Sequence, residues 1–256
     1  MVNIVSDYCN THGITISTNE DLSKSKTKCL IFNYKEHVEN VKLYDVALPW
    51  VDSHIHLGHT IHRDESTSYD ILKNRGELIS NIHGLYQELG NVHPDVFLIL
   101  VQIYFTSFYG AVLWDLDSPS AKKLYTTWNI MIRNAFNLPY ATHRYILRFL
   151  SKRPSLQVSL CNRFRNFCSR IQCSDKPEVL HLFLRQKDDC RSYFGKNYTN
   201  IISRRKDYTI NYEMPPGCEW RIPLIRDLVQ VRYNANTLTD FTQEETWDML
   251  VYACCS

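Results

Sequence analysis

Glycine and proline are scarce, with 8 and 9 copies among 256 residues. A barrel of alternating strands and helices closes its many turns and helix ends on glycine, so this scarcity argues against one. The 9 cysteines, at positions 9, 29, 161, 168, 173, 190, 218, 254 and 255, form no Cys-x-x-Cys pair, which excludes a zinc ribbon. Cys168, Cys173, His181 and Cys190 come nearest to a zinc knuckle, but their spacings fall in helical sequence and read as free thiols. Reduced thiols, together with an N-terminus MVNIVSDYCN that has no basic stretch followed by an apolar one, point to a cytoplasmic or nuclear address. Acid is missing from one long stretch: residues 118 to 174 contain no aspartate or glutamate.

What the chain does have begins with histidine. VDSHIHLGHTIH, residues 51 to 62, places His54 and His56 on one face of a strand, with Asp52 beside them. That spacing resembles the opening strand of amidohydrolase-type metal enzymes, whose two imidazoles bind zinc. A hydrolase needs at least a third ligand on another strand end, and no downstream His or Asp stands in a repeating strand–helix pattern. The metal reading is therefore a distant alternative.

Periodicity divides the chain. Residues 1 to 12 read as a short helix closed by Gly13, followed by β-type runs at ITIS (14 to 17), KCLIFN (28 to 33), VKLYDVALPWV (41 to 51) and HIHLGHTI (54 to 61). From Tyr69, apolar residues recur at three and four as far as Gly90. Residues 96 to 114 are uncharged, long enough to span a membrane; their acidic flanks and internal Gln102, Thr106 and Ser107 favour a helix buried in a protein core. Ser118-Pro119 opens a further helix through about Phe136, and Thr142, Ser155 and Asp175-Lys176-Pro177 are the next candidate starts. Beyond about residue 190 the pattern is mixed, with a last short helix near 243 to 253. The expected fold class is α+β, mainly α: a small antiparallel β unit over 1–65, a helical bundle over 66–190 and a C-terminal extension over 191–256.

The acid-free stretch holds Lys122, Lys123, Arg133, Arg144, Arg148, Lys152, Arg153, Arg163, Arg165 and Arg170. With the whole chain at +2, everything outside it carries a net eight negative charges, so a near-neutral total conceals a polarised molecule. Tyr125, Trp128, Tyr140, Tyr145, Phe149, Phe164 and Phe167 are interleaved with the cations. Cations neutralise phosphates and exposed rings stack on bases, which is the composition of a nucleic-acid groove. On a helix Arg144 and Arg148 share a face that Lys152 extends, and Lys122 with Lys123 forms a second cluster. The alternative is a solvated basic face over a core of aromatics.

Several stretches together resemble the reverse transcriptase of LINE-type (non-LTR) retrotransposons, from part-way through the palm to the end of the frame. SDYCNTHGITIST with KSKTKCLIF resembles the segment after the catalytic hairpin, and LPWVDSHIHLGHTI the primer-grip motif ending in Leu57-Gly58. YGAVLWDLDS and the Trp128 helix are similar to the thumb region, and CEWRIPLIRDL with the terminal Cys-Cys-Ser to the C-terminal extension. The resemblance implies template-primer contacts from Lys24, Lys26, Lys28, Leu57 and Gly58, and from Lys122, Lys123, Arg144, Arg148, Lys152 and Arg153 in the thumb. The family's aromatic-Ala-Asp-Asp hairpin, which holds two Mg²⁺ ions, is missing; the one Asp-Asp pair, Asp188-Asp189, lies in the polar helical context RQKDDCRS. The expectation is a truncated reverse transcriptase that binds RNA–DNA hybrid or RNA without catalysis, uses no cofactor and does not enter membranes. Mg²⁺ would be needed only if the missing half of the palm were supplied. A relic of a transposable element that contacts only protein, or nothing, is the competing reading.

Overall fold

The computed structural model describes residues 2–17, 26–32, 41–43, 46–90, 92–203, 220–233 and 243–255. The fold is α+β and mainly α, the sheets among the described residues being two small antiparallel pairs. The described residues fall into two compact units, Met1–Asp70 and Ile71–Ser256.

In the first unit, helix α1 (Val2–Thr11) ends where Gly13 takes a positive φ of 66°, a conformation that glycine adopts without a Cβ penalty. The helix packs on strand β1 (Lys42–Leu43), which pairs with β2 (Val46–Ala47). Expected β structure is cut down here. Residues 14–17 form no strand, residues 28–32 contribute a single parallel bridge from Cys29 to Trp50, and the described part of the run from 41 to 51 holds only these two-residue strands. A strand exists through its partner's hydrogen bonds, and short apolar runs without one stay irregular.

The histidine stretch is a hairpin of β3 (Ser53–His56) and β4 (His59–His62). Its two-residue turn, Leu57 (φ 48°) and Gly58 (φ 85°), has the paired positive φ values of a turn whose twist matches that of the flanking strands. Cross-strand register puts His54 and His56 on one face with His59, but His59 is committed elsewhere. Its Nδ1 lies 3.1 Å from a carboxylate oxygen of Asp70, while the other oxygen accepts the Thr60 N–H at 3.0 Å. Asp52 pairs with Arg63, and the His62 ring stacks on Tyr69 at 4.1 Å. Among the described residues no group of three or more His, Cys, Asp or Glu side chains is placed to hold a metal ion.

The second unit is a helical assembly. Helix α2 (Ser68–Leu89) ends at Gly90, again at positive φ. Helix α3 (Pro94–Phe105) starts with proline in its first turn, where the missing N–H has no helical partner to lose. The uncharged run to 114 is not one helix: it breaks after Phe105, passes through a loop and ends in a 3₁₀ turn, Ala111–Leu113. Nor is it wholly buried. Phe97, Leu98 and Val101 face the core, but Ile99 and Ile103 stand on the other side, Ile103 being 64% exposed. Lack of charge was a poor guide to burial, because apolar atoms also make up much of an ordinary surface. Among the described residues, no helix is long and apolar enough to cross a membrane.

Helix α4 (Pro119–Ala135) is capped by Ser118, whose Oγ accepts the Ala121 N–H. Helix α5 (Arg144–Ser151) follows a turn in which Thr142 plays a different part from the expected cap: its hydroxyl donates to the Pro139 carbonyl, and His143 is the capping position. Ser155 caps α6 (Leu156–Gln172) as expected, and α7 (Pro177–Asp188) opens on Pro177. The region beyond 190 is more helical than its pattern suggested, with α8 (Tyr193–Asn197), a π-helical turn (Tyr198–Ser203), α9 (Arg221–Tyr233) and α10 (Gln243–Cys255).

One apolar core joins these helices, with Trp114, Phe97, Phe164, Ile146, Leu147 and Leu124 among its largest fully buried members. At its centre Asn197, 2% exposed, donates from Nδ2 to the Trp114 carbonyl at 2.6 Å and accepts the Leu116 N–H on Oδ1 at 3.3 Å. A buried amide that meets both a donor and an acceptor keeps the non-helical chain around Trp114 from leaving polar groups unpaired.

Candidate functional site

Helix periodicity places Lys122, Tyr125, Thr126, Asn129 and Arg133 along one side of α4, while Ala121, Leu124, Trp128, Met131 and Ile132 turn into the core. The turn after α4 and the start of α5 face that polar side, and between them lie two adjoining cavities. The larger, about 560 Å³, is bounded by Arg133, Tyr140, Thr142, His143, Arg144 and Tyr145 together with Thr126, Asn129, Ile130 and Ala141. The smaller, about 280 Å³, is bounded by Lys122, Tyr125, Arg144, Arg148 and the first residues of α6, Ser155 to Gln157, again with Thr126 and Asn129. Because Thr126, Asn129 and Arg144 belong to both, the two make one groove. Among the described residues, no carboxylate lines either part.

The described lining of the groove carries four cations, Lys122, Arg133, Arg144 and Arg148. Arg133 is half-buried; burial pulls its pKa down, Tyr140 raises it and the like charge of Arg144 lowers it again. One of its terminal nitrogens donates to the Thr142 carbonyl at 2.8 Å, and the guanidinium carbon stands 5.8 Å from the centre of the Tyr140 ring. Its Nε is buried and meets no hydrogen-bond partner among the described residues. Tyr145 stacks against His143 and accepts a hydrogen bond on its hydroxyl from Arg221 of α9 at 3.1 Å, so α9 supports that wall.

The structure sorts the cations of the acid-free stretch. Lys122, Arg133, Arg144 and Arg148 bound the groove, and Lys123 is exposed on α4 outside it. Lys152 does not extend the Arg144–Arg148 row: the helix ends at Ser151 and Lys152 takes a left-handed conformation, φ 52°, as its C-cap. Arg153 follows it, half-buried and outside both cavities. Arg163 donates to the carbonyls of Ser107 and Thr106, and Arg165 to that of Ile201, so both serve the fold. Of the interleaved aromatics, Trp128 and Phe164 are core, and the Tyr125 hydroxyl donates to the Leu116 carbonyl. Tyr140 stands out at 79% exposure.

Of the other residues expected at the site, Lys24 lies outside the described residues. Lys26 and Lys28 are exposed in the first unit, where Leu57 and Gly58 form the hairpin turn. Sequence reasoning named Arg133 and Tyr140 only as members of the basic and aromatic sets and missed Thr126, Asn129 and Arg221. The four-residue step from Lys122 to Thr126, with Asn129 and Arg133 three and seven beyond Thr126, held the missing signal: a polar stripe on a helix whose opposite side is apolar. Compared with family models, with curated proteins and with solved structures, the chain matches none.

Proposed function

We propose that the groove between α4 and α5 binds the phosphate backbone of nucleic acid, and that the chain is a non-catalytic relative of the C-terminal part of a LINE-type reverse transcriptase. The observation that carries the binding reading is the groove itself: four cations from two successive helices line one continuous concavity whose described lining holds no acid. Such a lining repels itself, and an anion entering it releases both that repulsion and the anion's own counterions. The resemblance in sequence makes RNA–DNA hybrid and RNA the first ligands to try. It supplies no chemistry, because the chain has no aromatic-Ala-Asp-Asp segment.

The test is a titration of a fluorescent RNA–DNA hybrid and of RNA of equal length at several salt concentrations. Native protein should bind with an affinity that falls linearly in log[salt]. Changing Lys122, Arg144 and Arg148 together to Gln should reduce the slope by roughly 2 to 3, about 0.7 to 0.9 for each phosphate left without its cation. Arg170→Gln, on an exposed position at the end of α6, is the control of equal chemistry. A folded triple variant with native affinity and native slope would reduce the groove to a solvated surface.

A further inference from the structure

We infer that this groove takes a single strand, not a duplex, and holds one unpaired base against Tyr140 with the adjoining phosphate at Arg144. The inference rests on the nucleic-acid reading above and specifies its ligand. The larger cavity, about 560 Å³, is of the size that encloses a small molecule. It offers two kinds of complement. Arg133 and Arg144 line the same cavity, the charge of Arg144 disfavours that of Arg133, and the described lining holds no acid, so the two guanidiniums present a site for a ligand anion. His143, the N-cap of α5, makes no side-chain bond to the first helical turn, so the positive end of that helix opens on the same space.

The second complement is the ring. Tyr140 is 79% exposed at the cavity wall, and Arg133 packs near it at 5.8 Å, which steadies a ring that nothing covers on most of its surface. Inorganic phosphate would leave Tyr140 without a role, and an uncharged base would leave the arginines uncompensated. A nucleotide satisfies both. A duplex also supplies phosphates, but its base faces are stacked on one another and cannot reach an aromatic side chain; recognition by stacking belongs to single strands. The smaller cavity adjoins through Arg144 and presents Lys122 and Arg148, where a neighbouring phosphate of the same strand fits. That continuation distinguishes a strand from a free mononucleotide.

The experiment compares, by competition at one salt concentration, a 12-nucleotide single strand, the same strand with its bases removed, a hybrid duplex and a mononucleotide. Native protein should bind the base-bearing strand about 5- to 150-fold more tightly than the abasic one, the range expected of one base stacked on an aromatic ring. It should prefer that strand to the duplex, and the mononucleotide should compete only at far higher concentration. Tyr140→Ala should erase the ratio between base-bearing and abasic strands, and Tyr140→Phe should keep it. An unchanged ratio in Tyr140→Ala, equal native binding of the two strands, or tighter binding of duplex would overturn the single-strand inference while leaving the groove as a phosphate site. A mononucleotide that competes as well as the strand would overturn the strand in favour of a free nucleotide. Failure to bind any nucleic acid would overturn this inference and the reading beneath it.

Discussion

Arg163 belongs to the acid-free stretch by sequence but to the fold by geometry, so replacing it with Gln separates charge from binding. Its two terminal nitrogens donate to the Ser107 and Thr106 carbonyls at 2.7 and 2.8 Å, just past the C-terminal end of α3 at Phe105. A hydrogen bond from a charged donor contributes about 1.5–3 kcal/mol, and the more exposed of the two belongs at the bottom of that range. A cation at a helix C-terminus adds about 0.3–1 kcal/mol. Gln keeps some packing and one weaker bond, which leaves an expected loss of roughly 2–4 kcal/mol, a large share of the ~5–15 kcal/mol that holds a domain together. Urea unfolding followed by tryptophan fluorescence would read it as a lower midpoint at unchanged slope. Arg163→Lys keeps the charge and loses the two-pronged geometry, so it should recover less than half of the loss. Nucleic-acid affinity and its salt slope should stay native in both variants under conditions where they are folded. A loss below about 0.5 kcal/mol, the level of ordinary surface changes, would refute the structural assignment. So would a folded variant whose salt slope falls as it does for the groove cations.

Asn197→Ala removes the partner of both the Trp114 carbonyl and the Leu116 N–H; each stranded buried group costs about 1–3 kcal/mol, so denaturation should show a loss of roughly 2–5 kcal/mol. Burial pushes the thiols of Cys161 and Cys168 up to about 12 and that of Cys254 up to about 11, while Cys173 and Cys190 are exposed. An aromatic disulfide reagent at pH 8 should therefore label Cys173 and Cys190 quickly, and Cys161, Cys168 and Cys254 only at the rate of unfolding. For the same reason stability should hold up to the ordinary thiol pKa, near 9.0, and then fall as the pH climbs towards 12, because only the unfolded chain ionises in that interval. Flat stability from pH 9 to 11 would contradict it.

Where a local signal decides a helix end, the sequence was sufficient: Ser118 and Ser155 cap, Gly13 and Gly90 stop, and Pro177 starts. Signals that need a partner were misleading. The β-type runs at 14–17 and 28–32 had the composition of strands but, among the described residues, no neighbouring strand to pair with along their length. Thr142 has the chemistry of a cap, yet the turn from Pro139 brings a carbonyl within reach of its hydroxyl first. Helix α9 was hidden by Pro223, which reads as a breaker but sits in the first turn, where no intrahelical N–H is needed; Ile225 and Leu228 behind it are buried at helical spacing. At the site, the charge block was legible and its division was not. Which cations face a groove and which tie down carbonyls depends on how α4, α5 and α6 are placed, and Lys152 left the row through a single left-handed backbone angle.

The Asn197 clamp also bears on the order in which the molecule assembles. It joins backbone groups at 114 and 116 to a side chain more than 80 positions later in the sequence. Closing so long a loop is entropically unfavourable until other contacts have drawn its ends together, so the clamp forms late, after α4 to α7 have collapsed on one another. During synthesis the same separation becomes a delay: at about 5–20 residues per second, several seconds pass between the emergence of Trp114 and that of Asn197. Throughout that interval the Trp114 carbonyl and the Leu116 N–H are without the Asn197 amide that meets them in the folded chain, which makes this the stage at which a chaperone would be needed most.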